Sequence, residues 1–379
     1  MKNYCFLFLV FWSISCNEDL NTNPLDDILS SNHPAIKDVM DHLEDHEVQI
    51  KVTKILPESS NNKRSDTYEF QVDDNAYFYP ASTVKFPIAV LALEKVNTID
   101  GISSKTPYRV EGDSIFYSIR EDITNIFVVS GNAAYNRLYE FLGRDYINAK
   151  LKQKGLQPGR ISHRLESSGA ENSQTKKLIF KQQDSSFYRL PFSIDSEIKN
   201  LQLKSIFKGK GYYENDSLIN KPMDFSKKNY LPISTLHDVM MRVQFPKKFK
   251  SEERFKLNKD DQNFLLDAMK NIPRNAGFDE SEYYDGYVKF FMFGDTKDRI
   301  PSHISISNKV GYAYGYLTDC AFIEDRKHDI SFVLTATIHV NANGVFNDDN
   351  YEYETIGIPF LAEVGRQLHQ YYIERKKDN

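Results

Sequence analysis

Cysteine is nearly missing: of the three in 379 residues, Cys5 and Cys16 lie at the very start, and only Cys320 belongs to the body of the chain. An internal disulfide framework is excluded, so the fold must rest on its core. Tryptophan is rarer still, with Trp12 alone. Basic charge is not in excess either. Lys and Arg total 48 against 53 Asp and Glu, a net charge of -5, which gives no electrostatic footprint for nucleic acid. The one long apolar run, residues 4–14, is too short to span a bilayer comfortably. His-Glu-x-x-His, Cys-x-x-Cys and Gly-x-Ser-x-Gly patterns are absent, and Gly209-Lys210-Gly211 lacks the remaining parts of a phosphate loop. No repeat or heptad is apparent. What the chain does have is apolar material, 40% hydrophobic with 13% aromatic, enough for one large domain or two ordinary ones.

Lys2 followed by the apolar run has the order of a secretory signal. Its end, Ser13-Ile14-Ser15-Cys16, resembles a lipobox, although Ser13 sits where Leu is usual. An ordinary signal peptide cut near Ser15 is the other reading. Residues 1–15 are therefore read as a signal peptide and Cys16 as the lipidated residue. Residues 16–33, rich in Asn, Asp and Ser, read as a tether between the anchor and a folded domain over 34–379. The expected location is the cell envelope, periplasmic or at the outer membrane as a lipoprotein.

Pro34 opens a helix with Ile36, Val39, Met40 and Leu43 at helical spacing. Residues 47–55 and 67–72 alternate like the two strands of a hairpin. A dense apolar helix is predicted over 83–96, a helical region over 123–142 broken at Ser130-Gly131, and a third helix over 233–243. Three strands follow at 303–309, 316–324 and 331–340, then a closing helix over 356–373. Strands at both chain ends with helices between predict one antiparallel sheet, covered on one face by the terminal helices and on the other by the helical middle. The Lys-rich stretch 173–230 reads as an insertion.

Ser82 begins the apolar helix and Lys85 follows one turn later on the same face. A serine hydroxyl needs a base to take its proton, and a lysine whose pKa is lowered by burial or nearby positive charge can be that base near neutral pH. The spacing alone is weak, because Ser-x-x-Lys recurs at Ser60, Ser82, Ser173, Ser196 and Ser205. An isolated match is usually a helix cap with a solvated lysine. Two further elements separate Ser82 from the rest: Ser130-Gly131-Asn132 at the helix break, and Lys309-Val310-Gly311 at the end of a predicted strand, followed by Tyr312-Ala313-Tyr314.

Together these resemble the penicillin-recognising serine enzymes, most closely the class A β-lactamases, whose motifs are Ser-x-x-Lys, Ser-Asp-Asn and Lys-Thr-Gly. The resemblance runs from about Pro34 to Tyr372 and implies a β-lactamase-like α/β sandwich with a five-stranded antiparallel sheet. It implies Ser82 as acylated nucleophile, Lys85 as its base partner and Ser130 as proton shuttle to the leaving nitrogen. Asn132 would contact the substrate amide and Lys309 the substrate carboxylate. Gly311 completes the third motif, and the amides of Ser82 and Tyr312 would form the oxyanion hole. The mechanism so implied uses no metal and no cofactor.

Four departures stand out. Gly131 replaces Asp, and Val310 replaces Thr, which removes a hydroxyl from carboxylate recognition. No Arg follows on the next strand, which leaves Lys309 alone or a distant residue such as Arg274. The deacylating Glu-x-x-Leu-Asn pattern is absent, with Glu166 or Glu171 as candidates for activating water. The expected activity is acyl-enzyme hydrolysis, most directly of a β-lactam amide. The alternatives are a peptidoglycan D,D-peptidase, amidase or esterase, or a catalytically silent envelope-binding lipoprotein. Expected partners are a small β-lactam or peptidoglycan-peptide-like substrate and, through the anchor, a membrane. His42 and His46, four apart, read as a solvated helix face, His163, His237 and His303 as structural or exposed, and Cys320 as a core residue.

Overall fold

The computed structural model describes residues 23–56 and 65–377. The expected signal peptide and Cys16 lie outside the described residues. The chain opens with helices α1 (Pro24–Leu29), α2 (Pro34–Met40) and the single turn α3 (Leu43–His46), then the hairpin β1 (Gln49–Lys54) and β2 (Thr67–Phe70). A 3-10 turn over Ala81–Val84 continues into α4 (Lys85–Val96). Next come β3 (Tyr108–Val110), α5 (Ile119–Val129), α6 (Asn132–Leu142) and α7 (Arg144–Gln153). The stretch read as an insertion carries β4 (Leu178–Lys181), β5 (Phe187–Leu190), β6 (Phe207–Lys208), β7 (Gly211–Glu214), β8 (Ser217–Ile219) and β9 (Met223–Asp224). The chain finishes with α8 (Ile233–Gln244), α9 (Lys259–Lys270), α10 (Phe290–Phe293), β10 (Ile304–Ala313), β11 (Tyr316–Asp325), β12 (Ile330–His339), β13 (Val345–Phe346) and α11 (Ile358–Lys377).

The two chain ends build one antiparallel sheet in the order β10-β11-β12-β1-β2, with Gln49 opposite Thr337 and Lys54 opposite Phe332. Side-chain alternation along β11 sorts the two cores. Leu317, Ala321 and Ile323 pack with Leu361, Val364 and Leu368 of α11, while Cys320 and Phe322 join the core formed with α4, α5, α6, α8 and α9. Both faces are covered, so β11 is buried along nearly its whole length. Each fully buried Leu or Phe contributes roughly 1.5–3 kcal/mol. The layered α/β sandwich expected from the sequence is the one observed.

Three local expectations change. The tether read over 16–33 contains α1, whose Leu25, Ile28 and Leu29 are buried in the terminal-helix core. Asn23 caps it and Pro24 starts it, so three apolar residues in a polar stretch suffice once α11 is there to cover them. Second, Lys309-Val310-Gly311 lies within β10, which continues to Ala313, rather than at the strand end. Third, the 173–230 stretch is partly integral: β4 and β5 add to β3 in a three-stranded sheet, with Phe180 stacked on Tyr108. Its second half, the β7–β8 hairpin, pairs in parallel with β13. Cys320 is a buried free thiol, as read.

Candidate active site

The helix that carries Ser82 starts tightly. Ala81 has φ 45°, and Thr83 donates from both its amide and hydroxyl to Pro80 O, at 3.1 and 2.6 Å. Buried side chains on either side leave Ser82 half-buried at the mouth. β10 runs directly against this turn. A Cβ at Gly311 would sit 2.7 Å from Ser82 N and 2.8 Å from Pro80 O, backbone atoms that cannot give way. Glycine is what lets the strand bring Tyr312 beside the Ser82 amide.

Lys85 is completely buried one turn below. Its Nζ donates to Asn132 Oδ1 at 2.5 Å, to Ser130 O, and at 3.4 Å to Ser130 Oγ. Lys309, on the same face of β10 as Gly311, donates to the same Ser130 Oγ at 2.9 Å and to Val310 O at 2.7 Å. Ser130 therefore sits between two lysines. It can do so because α5 ends there: the Ser118–Glu121 capping box fixes the start of that helix, and Ser130 takes a left-handed φ of 56° at its end. Gly131 then explains the missing Asp. A Cβ there would fall 1.7 Å from Asn125 Oδ1, because the Asn125 side chain fills that space.

Burial lowers the Lys85 ammonium to about 7, against an opposing pull from Glu166. Burial, then the neighbouring Lys85 charge, also holds Lys309 well below the ordinary lysine range. Relief comes from behind the strand. Asp319 accepts from Asn308 Nδ2 at 2.9 Å and from the amides of Phe290 and Phe291 at 3.1 and 3.3 Å. Lys289 donates to Met269 O, Ile306 O and Asn308 Oδ1 at 2.9, 3.0 and 2.7 Å. Burial pushes the Asp319 carboxyl up to about 6 and brings Lys289 down to about 7. This network under β10 has no sequence motif, since its members come from three separate segments.

The cleft above Ser82 holds about 600 Å³ and is also lined by Asn132, Glu166, Tyr312 and Lys228. Tyr79, Tyr314, Tyr351 and Tyr353 make its walls aromatic. Sequence reasoning reached only the Tyr312-Ala313-Tyr314 part of this wall; Tyr351 and Tyr353 were missed, although their alternate spacing is a signal in the sequence. A larger groove, about 970 Å³, includes Glu140 and Arg164 but none of Ser82, Lys85, Ser130 or Lys309, so its size does not make it the reaction site.

Glu166 and Glu171 separate here. Glu166 faces the cleft from an exposed position with φ 44°, whereas Glu171 lines another depression and lies 3.6 Å from Lys228. The loop between them is anchored by Arg164, which donates through Nη2 to Glu140 Oε2 at 2.9 Å and to Gln174 O at 3.1 Å. Asn136 holds Leu165 from both sides, at 2.8 and 2.9 Å. Val310 is buried in the terminal-helix core and offers no polar group to the cleft. Arg274, the distant candidate for a carboxylate clamp, is instead engaged by Asp285 at 2.7 Å and lines no part of the cleft.

The histidines are held by other partners. His163 stacks on Tyr79 and bonds Arg164 O at 2.6 Å, and burial lowers it to about 4. His237 is buried between Thr53 and Thr335 at 2.9 and 3.0 Å. His42 and His46 each use Nδ1 on a backbone carbonyl, that of Asp38 and that of His339. Because Arg164 and Glu140 are both almost fully buried, Glu140→Ala is expected to cost about 3–5 kcal/mol by leaving the guanidinium unpaired. A urea-unfolding midpoint that stays at the wild-type value would contradict this account of the loop anchor.

Residues 34–186 match the family described as the Beta-lactamase enzyme family. No curated protein matches the chain. Among solved structures, a class A β-lactamase from Mycobacterium abscessus is 14% identical, with a TM-score of 0.51 over 92% of this chain and 99% of that one. A class A representative from Bacteroides cellulosilyticus is 12% identical, with a TM-score of 0.52 over 93% and 100%. A β-lactamase from Desulfarculus baarsii is 11% identical, with 0.52 over 88% and 96%. Likeness at such identities speaks for the fold. That fold is shared over nearly the whole chain, and the match to the Beta-lactamase enzyme family falls on the stretch that holds Ser82, Lys85, Ser130, Asn132 and Glu166.

Proposed function

We propose that the protein is a serine hydrolase that works by acyl-enzyme formation on Ser82, with a β-lactam amide as the substrate its site fits best. The observation that carries this reading is Ser130 Oγ held between Lys309 at 2.9 Å and Lys85 at 3.4 Å, beneath the Ser82 turn. A neutral lysine has two hydrogens and one lone pair. Ser130 O and Asn132 Oδ1 take the hydrogens of Lys85, which leaves its lone pair for the Ser82 proton. Ser82 Oγ then attacks the amide carbonyl while the amides of Ser82 and Tyr312 receive the developing oxyanion. Ser130 accepts from Lys309, so its own hydrogen is available to the leaving nitrogen as the amide bond breaks. Lys85 returns the proton to Ser130, and the balance closes without a metal or cofactor.

Hydrolysis of the acyl-enzyme needs an activated water; Glu166 and Asp349 are the carboxylates that line the cleft, and Glu166 is the one on the loop beside Ser82 and Asn132. Among the described residues no hydrogen bond or ion pair fixes it. This favours a second reading, a penicillin-binding peptidase or esterase that acylates readily and deacylates slowly. The thinner carboxylate recognition, with Val310 buried and Arg274 occupied, supports the same alternative.

Intact-mass measurement with penicillin and a chromogenic cephalosporin tests both. Ser82-dependent hydrolysis is expected of a β-lactamase, a lasting Ser82-dependent adduct of the second reading. A Ser82→Ala protein that still forms the adduct or still turns over overturns both. Because Lys85 must be neutral to act, the acylation rate is expected to be level above about pH 7 and to fall roughly tenfold per unit below it. A pH-independent acylation rate between 5 and 8 would remove Lys85 from the role of base.

For location, we propose export and lipidation at Cys16, supported by the charged-then-apolar leader and Ser13-Ile14-Ser15-Cys16. Metabolic labelling with a radioactive fatty acid is expected to mark the wild type and not Cys16→Ala. Label retained in that variant would refute lipidation there.

A further inference from the structure

At the far end of the sheet from Ser82, three metal-ligating side chains converge with no part in the site described above. Asp325 ends β11, His328 lies in the turn before β12, and His369 comes from α11. Asp325 Oδ2 lies 2.6 Å from His328 Nδ1 and 2.8 Å from His369 Nε2, and the three ligand atoms all fall within 4.8 Å of one another. Seven residue steps along β10 separate Ile304, which pairs with Asp325, from Gly311 at the Ser82 turn, roughly 24 Å at strand rise.

We propose that Asp325, His328 and His369 form a binding site for a divalent transition-metal ion of the zinc class. Two imidazoles and one carboxylate are the donor set that suits Zn²⁺ and Co²⁺, with water completing the sphere. Ligand bonds of about 2.0–2.2 Å at tetrahedral angles put neighbouring donor atoms roughly 3.3–3.6 Å apart, so the spacings of Asp325 to the two rings would open by roughly half to one ångström as an ion enters. The carboxylate is held for the purpose: Asp325 Oδ1 accepts the amides of Lys327 and His328 at 2.9 and 3.2 Å, which leaves Oδ2 facing the two rings. Access is also present. Asp325 is buried, while His328 and His369 are 33% and 14% exposed, so an ion can enter from solvent. Bound there, it would join the β11–β12 turn to the C-terminal helix and stabilise the folded state by mass action.

A competing histidine pair is His42 and His46, near Asp38 and Asp45. Among the described residues, however, three ligands converge only at Asp325, His328 and His369. The test is calorimetric titration of the metal-free full domain with zinc chloride, together with visible absorption of the Co²⁺ form. One ion per chain, micromolar or tighter, is expected, with a rise in Tm and the d–d bands of a nitrogen and oxygen site. His328→Gln and His369→Gln should each weaken binding at least tenfold, whereas His42→Ala should bind as the wild type does. Absence of saturable binding to the wild type overturns the proposal without recourse to any variant. So does binding unchanged in both Gln variants, or binding lost in His42→Ala alone.

Discussion

Two lysines buried against one serine hydroxyl constrain everything around them. Lys85 and Lys309 both reach Ser130 Oγ, and each is desolvated and repelled by the other. Such an arrangement persists only if the backbone leaves no alternative. Here the 3-10 turn at Ala81–Val84 sets the start of α4, the left-handed Ser130 ends α5, and β10 presses its glycine onto the turn. The buried Asp319 behind the strand supplies compensating negative charge to Lys309. Chemistry in this fold therefore rests on a sheet edge as much as on a helix.

The loop bearing Glu166 follows a different logic. Its base is rigid, because Arg164 satisfies Glu140 and several loop carbonyls at once, and Asn136 clasps Leu165. Its tip carries Glu166 in a left-handed conformation without a partner among the described residues. Positioning accuracy thus drops within two residues, from a locked guanidinium to a free carboxylate. In the proposed mechanism, acylation and deacylation would be served by parts of the molecule with very different stiffness.

Features tied to local backbone events were legible in the sequence. A serine opening an apolar helix, a break between two helices and a lysine on a strand each leave a pattern in a dozen residues, and they are found together here. The layering was legible too, because strand patterns lie at both ends of the chain. Features made by distant segments were not. Asn125 filling the space beside Gly131, and Asn308, Asp319 and Lys289 meeting under β10, depend on tertiary placement alone. The helix α1 was hidden because its three apolar residues sit among polar ones, and only contact with α11 makes them core. The tyrosine wall was half visible, since alternation marks which residues share a face but not which face meets a cleft.

The pairing of β1 with β12 carries one more implication. Gln49 meets Thr337 across the centre of the sheet, so the strand made early has its partner only when almost the whole chain exists. Until then β1 offers an unpaired edge and the faces of the sheet have nothing to close upon. The helical middle can collapse first, but Lys309 and Gly311 reach Ser82 only when the last strands join. Chemical competence is therefore among the last properties this chain acquires as it folds.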